Sequence, residues 1–264
     1  MKIAVAQMSC VPGEVAANVA KMRDFCARAK AIGAELIVFP EMADTGYSMP
    51  VIKEHAQPWN EGAAPALRET ARELSLSIIC GLSEREGDSI YNAQVAIDAR
   101  GEIAAKYRKT HLFAPGDEDE TFAAGADFTT FAHGPWRLGL SICYDLRFPE
   151  VYRVLACDQG ANVLVNSAAW PFPRVEHLRI LATARAIENQ SYLVLANRVG
   201  TDAGVTCCGS SAIIDPSGTI IAAASPDCDE LIEAELDRSV LDNVRARMQV
   251  FAHRRPEIYG PLSR

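Results

Sequence analysis

Two hydrophobic periods alternate along the chain. Residues 3–7 form a short apolar run, as expected of a buried strand. Val15, Val19, Met22, Phe25, Cys26 and Ala29 then recur at helical spacing, which predicts an amphipathic helix over 14–32, closed by Gly33. The run 35–39 is again apolar and stops at Pro40. Leu67, Ala71 and Leu74 mark a second helix ahead of a strand at 77–81. This βαβα order implies parallel strands covered by helices.

The middle of the chain changes character. Segments 91–97 and 102–108 flank a turn at Gly101 and predict a hairpin. A further strand pair is expected at 128–131 and 137–142, around Gly134-Pro135. A helix should start at Pro149, with Val151, Val154 and Leu155 on one face. Then come a strand at 163–166, a long helix through Leu178, Leu181, Ala182, Arg185 and Ile187, and a strand at 192–196. A second hairpin is predicted at 210–214 and 219–224, followed by a strand at 230–236 and a helix near 240–248. The tail from about 250 has no clear period.

No Ser/Gly-rich stretch or charge run divides the chain, so one domain over 1–264 is expected. About a dozen strands are unusual for one sheet in a compact chain. Two packed mixed sheets with helices outside fit better.

Composition narrows the partners. A net charge of −8 argues against a general nucleic-acid binder and against adhesion to an anionic membrane. No apolar stretch is long enough for a membrane span, and the N-terminus lacks the pattern of a secretory leader. The expected setting is the cytoplasm, with reduced thiols. Eight cysteines are present, with no CxxC pair and no histidine at a zinc-finger offset, so no metal site is expected. Most of these thiols should be small buried hydrophobes.

Three segments carry reactive groups where α/β folds build sites, just after strands. Glu41 follows the run ending at Pro40. Lys109 lies in Tyr107-Arg108-Lys109-Thr110-His111-Leu112-Phe113, at the end of a hairpin strand. Cys143 opens Cys143-Tyr144-Asp145-Leu146-Arg147-Phe148-Pro149-Glu150, between a strand and a helix whose N-terminus should lower a thiol pKa. Taken singly, each fits a solvated or packed strand-end residue. Together, a carboxylate, an ammonium and a thiol supply a base, a charge stabiliser and a nucleophile. A cysteine–histidine pairing is less favoured, because neither His111 nor His177 stands in a recognisable protease context.

At these residues the sequence resembles the nitrilase, or carbon–nitrogen hydrolase, superfamily over essentially its whole length. Ala184-Arg185-Ala186-Ile187-Glu188-Asn189-Gln190 and Arg254-Arg255-Pro256-Glu257-Ile258-Tyr259 extend the match. The resemblance implies an α/β fold, a four-layer α-β-β-α sandwich of two mixed sheets. It implies a homodimer or higher homo-oligomer and no cofactor. It also implies a second glutamate between the lysine and the cysteine, for which Glu118 is the choice and Glu120 the fallback. By the same resemblance, Glu41 is the base, Lys109 and the Tyr144 N–H hold the oxyanion, and Cys143 forms a thioester.

For substrate binding, Arg147 is expected to clamp a carboxylate, unless it pairs with Glu150 or Asp145 instead. Trp170, Tyr47 and His111 are the other candidate binding residues. The nucleophile segment, with Ala169-Trp170-Pro171 and Asn197-Arg198-Val199-Gly200-Thr201-Asp202, looks most like the ω-amidase branch, which acts on small carboxylate-bearing amides. A broad aliphatic amidase, an N-carbamoyl amino-acid hydrolase and a nitrilase are the alternatives. Outside enzymes, an inactive metabolite-sensing scaffold stands as the alternative.

Overall fold

A computed structural model of the protein describes residues 1–260. The first half runs β1 (Lys2–Gln7), α1 (Val15–Ala31), β2 (Leu36–Val38), α2 (Met49–His55), α3 (Ala63–Leu74), β3 (Ser77–Glu86), β4 (Ser89–Ile97) and β5 (Ile103–Arg108). The second runs β6 (Thr130–His133), β7 (Trp136–Ile142), α4 (Pro149–Arg153), β8 (Val163–Ala168), α5 (Val175–Glu188) and β9 (Tyr192–Asn197). A short pair, β10 (Thr201–Asp202) and β11 (Val205–Thr206), precedes β12 (Ala212–Ile214), β13 (Ile220–Ala223), β14 (Glu230–Glu235) and α6 (Arg238–Arg247).

Two six-stranded mixed sheets result, in the orders β14-β1-β2-β3-β4-β5 and β13-β12-β9-β8-β7-β6. Both share one polarity plan. Each has a parallel trio, β1-β2-β3 or β7-β8-β9, flanked by antiparallel strands. Alternation along β1 divides its side chains between two cores. Ile3 and Val5 join the core shared with the second sheet, while Ala4 and Ala6 pack with Met22 and Phe25 of α1 and Leu67 of α3. Across the sheet interface Gln94 Nε2 donates to Ser167 Oγ (2.7 Å), which donates to the Phe39 carbonyl (2.7 Å). Outside the second sheet lie Val151 of α4 and Leu178, Ala182 and Ala186 of α5. This is the expected α-β-β-α sandwich.

The differences from the sequence reading have physical causes. The strand expected at 77–81 continues to Glu86 and forms a hairpin with β4. Its apolar run ends, yet Ser83 and Glu84 stay buried because Asp44 and Arg108 pair with them. Helix α2 buries only Ile52, too little for a periodic signal. The helix expected from Pro149 is there as the short α4, but a 3-10 turn over Cys143–Arg147 separates it from Cys143. The tail contains a 3-10 turn at Pro256–Ile258, and positions 261–264 lie outside the described residues.

Candidate active site

The three chemical segments converge at neighbouring strand ends. Glu41 lies just beyond β2, where β3 comes very close. A Cβ at Gly81 would sit 2.6 Å from the Glu41 Cα and the Pro40 carbonyl oxygen, so only glycine fits there. Lys109 follows β5, its N–H donating to the Asn92 carbonyl (2.8 Å). Cys143 follows β7 with a φ of +43°, left-handed and rare for a side chain larger than glycine.

Glu41, Lys109 and Glu118 form one buried ionic cluster. Lys109 Nζ donates to Glu41 Oε1 at 2.9 Å and to Glu118 Oε1 at 2.7 Å, and all three side chains are 0% exposed. The other oxygen of each carboxylate is also engaged. The Ala169 N–H donates to Glu41 Oε2 (2.7 Å), the Phe113 N–H to Glu118 Oε2 (2.7 Å) and the Tyr47 hydroxyl to Glu118 Oε1 (2.6 Å). Asn92 Nδ2 bridges the two carboxylates, at 2.7 Å from Glu41 and 3.3 Å from Glu118. Glu120, by contrast, is exposed.

The electrostatics follow from this packing. Burial alone disfavours the Lys109 ammonium, but Glu118 and Glu41 outweigh it and hold the amine protonated well beyond its ordinary range. Burial pushes the Cys143 thiol well above its ordinary value, and the Glu41 and Glu118 charges push it further. Lys109 and the Ala169 N–H pull the other way without reversing the shift. The expected lowering at a helix N-terminus is therefore not what this site does. The thiol is held neutral, beside a carboxylate able to accept its proton.

A cavity of about 170 Å³ opens onto Cys143, Tyr144, Tyr47 and Phe113, with Arg147, Trp170 and Arg174 also lining it. Trp170 is fixed by its backbone N–H to Asn197 Oδ1 (2.7 Å) and its Nε1 to the Arg174 carbonyl (3.0 Å). Arg147 lies over the Trp170 ring, 4.7 Å from its centroid, with Nη2 3.4 Å from His177 Nδ1. It makes no ion pair with Glu150 or Asp145. Among the described residues neither Arg147 nor Arg174 has a carboxylate within 4 Å.

His111 is corrected. Its Nδ1 lies 2.9 Å from Asp145 Oδ1 and its ring stacks on Phe148 (3.8 Å, 14°), so it does not line the cavity. Asp145 claims it because a buried carboxylate needs donors. Sequence reasoning missed Asn92 and Arg174 as site residues. Asn92 carries a usable signal, since with Gln94 it puts two amides into the mostly apolar β4. Among the described residues no group of three or more His, Cys, Asp and Glu is arranged to hold a metal ion. No helix there is long and apolar enough to cross a membrane.

Comparison with known proteins places this geometry in context. The profile of the carbon–nitrogen hydrolase family matches residues 2–246. A 2-oxoglutaramate amidase from Bacillus subtilis is 34% identical over 240 residues, covering 90% of this chain and 92% of the relative. An omega-amidase from Homo sapiens is 30% identical over 253 residues, covering 92% and 91%. Among solved structures, a mutant of the amidase from Nesterenkonia sp. AN1 superposes with a TM-score of 0.88 at 27% identity, covering 99% of this chain and 96% of that one. That structure shows covalent addition of the acetamide moiety of fluoroacetamide at its active-site cysteine. Saccharomyces cerevisiae Nit3, of the nitrilase superfamily, superposes with a TM-score of 0.87 at 28% identity, over 94% of each chain.

Proposed function

The chain belongs to the carbon–nitrogen hydrolase family of the nitrilase superfamily, and on that premise we propose that it hydrolyses small carboxylate-bearing amides through a thioester on Cys143. One observation carries the chemistry: a buried, fully hydrogen-bonded Glu41–Lys109–Glu118 cluster beside a neutral cysteine that faces a cavity. The Cys143 sulfur attacks the amide carbon while its proton passes to Glu41. Lys109 and the Tyr144 N–H stabilise the oxyanion. As the C–N bond breaks, Glu41 returns the proton to the departing ammonia. Glu41 next takes a proton from water, whose oxygen attacks the thioester. The carboxylic acid leaves, and the proton returns to the Cys143 sulfur.

Glu118 and Asn92 keep Lys109 and Glu41 aligned. Tyr47 reaches Glu118 from the cavity wall. The substrate class rests on the arginines. In a chain with a net charge of −8, this cavity carries two guanidinium groups that have no ion-pair partner among the described residues, and its described lining includes no acidic residue. A carboxylate on the substrate would complete that charge balance, with Arg147 as the clamp and the Trp170 face beneath it. The amidase names of these two relatives support an amide substrate. Exposed Ile180 and Ile187 on α5 and Ile220 on β13 support the homo-oligomer implied by the family.

The test is ammonia release from a panel of amides: succinamate, 2-oxosuccinamate, 2-oxoglutaramate, propionamide and N-carbamoyl amino acids. Higher kcat/KM for the ω-monoamides bearing a carboxylate is expected, with the advantage lost in Arg147→Ala. A preference for propionamide, unchanged by that substitution, would replace this reading with a broad aliphatic amidase.

A further inference from the structure

Asp145 lies two residues after the nucleophile, is fully buried and lies outside the chemistry derived above. Its carboxylate gathers donors from two separate segments. From its own segment, the Ile142 N–H donates to Oδ2 (2.9 Å). From the lysine segment, the Tyr107 hydroxyl donates to Oδ2 (2.7 Å), and the Thr110 hydroxyl and His111 N–H reach Oδ1, both at 3.3 Å. His111 Nδ1 completes the set at 2.9 Å, which requires the proton on that nitrogen.

These contacts bracket both reacting residues. Ile142 immediately precedes Cys143, and Tyr107 and Thr110 flank the Arg108-Lys109 step. The carboxylate therefore sets the spacing between the end of β7 and the end of β5. It also closes the turn that keeps Cys143 in the left-handed region, a conformation unfavourable for any side chain and in need of support from its surroundings. The Tyr107 ring belongs to the core between the sheets, so the anchor is rigid on that side. On the other side Phe148 stacks on His111, and its N–H donates to the Asp145 carbonyl (2.9 Å).

We propose that Asp145, gripped by Tyr107 and His111, is a positioning residue that fixes the Cys143 sulfur relative to Lys109 and Glu41. This inference rests on Cys143 being the nucleophile. The test does not depend on which amide is the substrate. Iodoacetamide labelling is followed peptide by peptide, together with thermal melting. Exposed Cys228 serves as the reference thiol, and buried Cys10, Cys26 and Cys80 report on loosening.

For Asp145→Asn and His111→Phe, Cys143 labelling should fall about 10–100-fold relative to Cys228, as small misplacements of a reacting atom do. Cys10, Cys26 and Cys80 should stay protected. His111→Asn retains a donor at the Nδ1 position and should label Cys143 within about threefold of wild type, a margin below the loss of one charged hydrogen bond. Unchanged Cys143 labelling in Asp145→Asn and His111→Phe overturns the proposal. So does a loss that His111→Asn shares in full, or one accompanied by labelling of the buried thiols, which marks general loosening. If Cys143→Ala releases ammonia from an ω-monoamide as fast as wild type, the thioester reading itself fails, a distinct outcome.

Discussion

At the floor of the cavity, Glu41, Lys109 and Glu118 are removed from water, and every carboxylate oxygen there has a donor. At the mouth, Arg147 and Arg174 carry charge that no carboxylate meets among the described residues. The arginines line the cavity of about 170 Å³ and the three cluster residues do not, so the two regions answer different questions. A satisfied buried cluster costs no reorganisation during reaction, which is what oxyanion stabilisation and proton transfer require. An unpaired guanidinium beside an aromatic face is held ready for a counter-charge that arrives with the substrate. Mutations at the floor should therefore alter rate and stability together, whereas those at the mouth should alter affinity and selectivity.

Cys143→Ala gives the largest expected effect. Turnover measured as ammonia release should drop to background, while the melting temperature stays close to wild type, because the thiol is not part of the ionic cluster. Lys109→Ala comes next. Its kcat should fall about 10²–10³-fold. Urea unfolding should also reveal a loss of about 3–5 kcal/mol, because Glu41 and Glu118 are left buried without their cation. A Lys109→Ala protein of wild-type stability would mean that the floor is not the coupled unit its hydrogen bonds describe.

Arg147→Ala separates the regions. For a carboxylate-bearing amide KM should rise about 10–100-fold, the worth of a hydrogen bond to a charged group, with kcat within a few-fold. For propionamide neither constant should move much. A fall in kcat with KM unchanged would place Arg147 at the floor.

The smallest effect concerns thiols away from the floor. Burial raises Cys10 to about 11, and Cys26 and Cys207 to about 12. Their folded-state pKa values lie above the unfolded ones, so the unfolded chain sheds these protons first as pH rises. Stability should fall from about pH 8.5 upward, by about half a kcal/mol per thiol at pH 9. Urea midpoints at pH 7.5 and 9 check this, and a flat profile would mean these thiols titrate in the folded protein as they do in water.

The floor was more legible in sequence than the mouth, for a physical reason. Glu41 and Cys143 each follow an apolar strand and Lys109 an alternating one, and a strand end is visible in the hydrophobic pattern. Glu118 came only from the family resemblance. In the structure its burial beside Lys109 separates it from exposed Glu120. Asn92 is easily overlooked because hydrophobic period does not say what the amides of β4, Asn92 and Gln94, are for. The orientation of Arg147 depends on Trp170 and His177, far away in sequence, so its neighbours Glu150 and Asp145 were misleading guides. Arg174 sits in Pro171-Phe172-Pro173-Arg174, a segment without a period, and only the fold brings it to the cavity. The direction of the thiol pKa is not legible in the sequence because burial and the Glu41 charge set it, and the helix at Pro149 begins a full 3-10 turn beyond Cys143.

Acid-quenched peptide mass spectrometry during turnover of an ω-monoamide tests the mechanism most directly. The acyl mass is expected on the Cys143 peptide and on none of the other seven cysteines. Ammonia release with Cys143 unmodified, and undiminished in Cys143→Ala, would contradict a thioester mechanism.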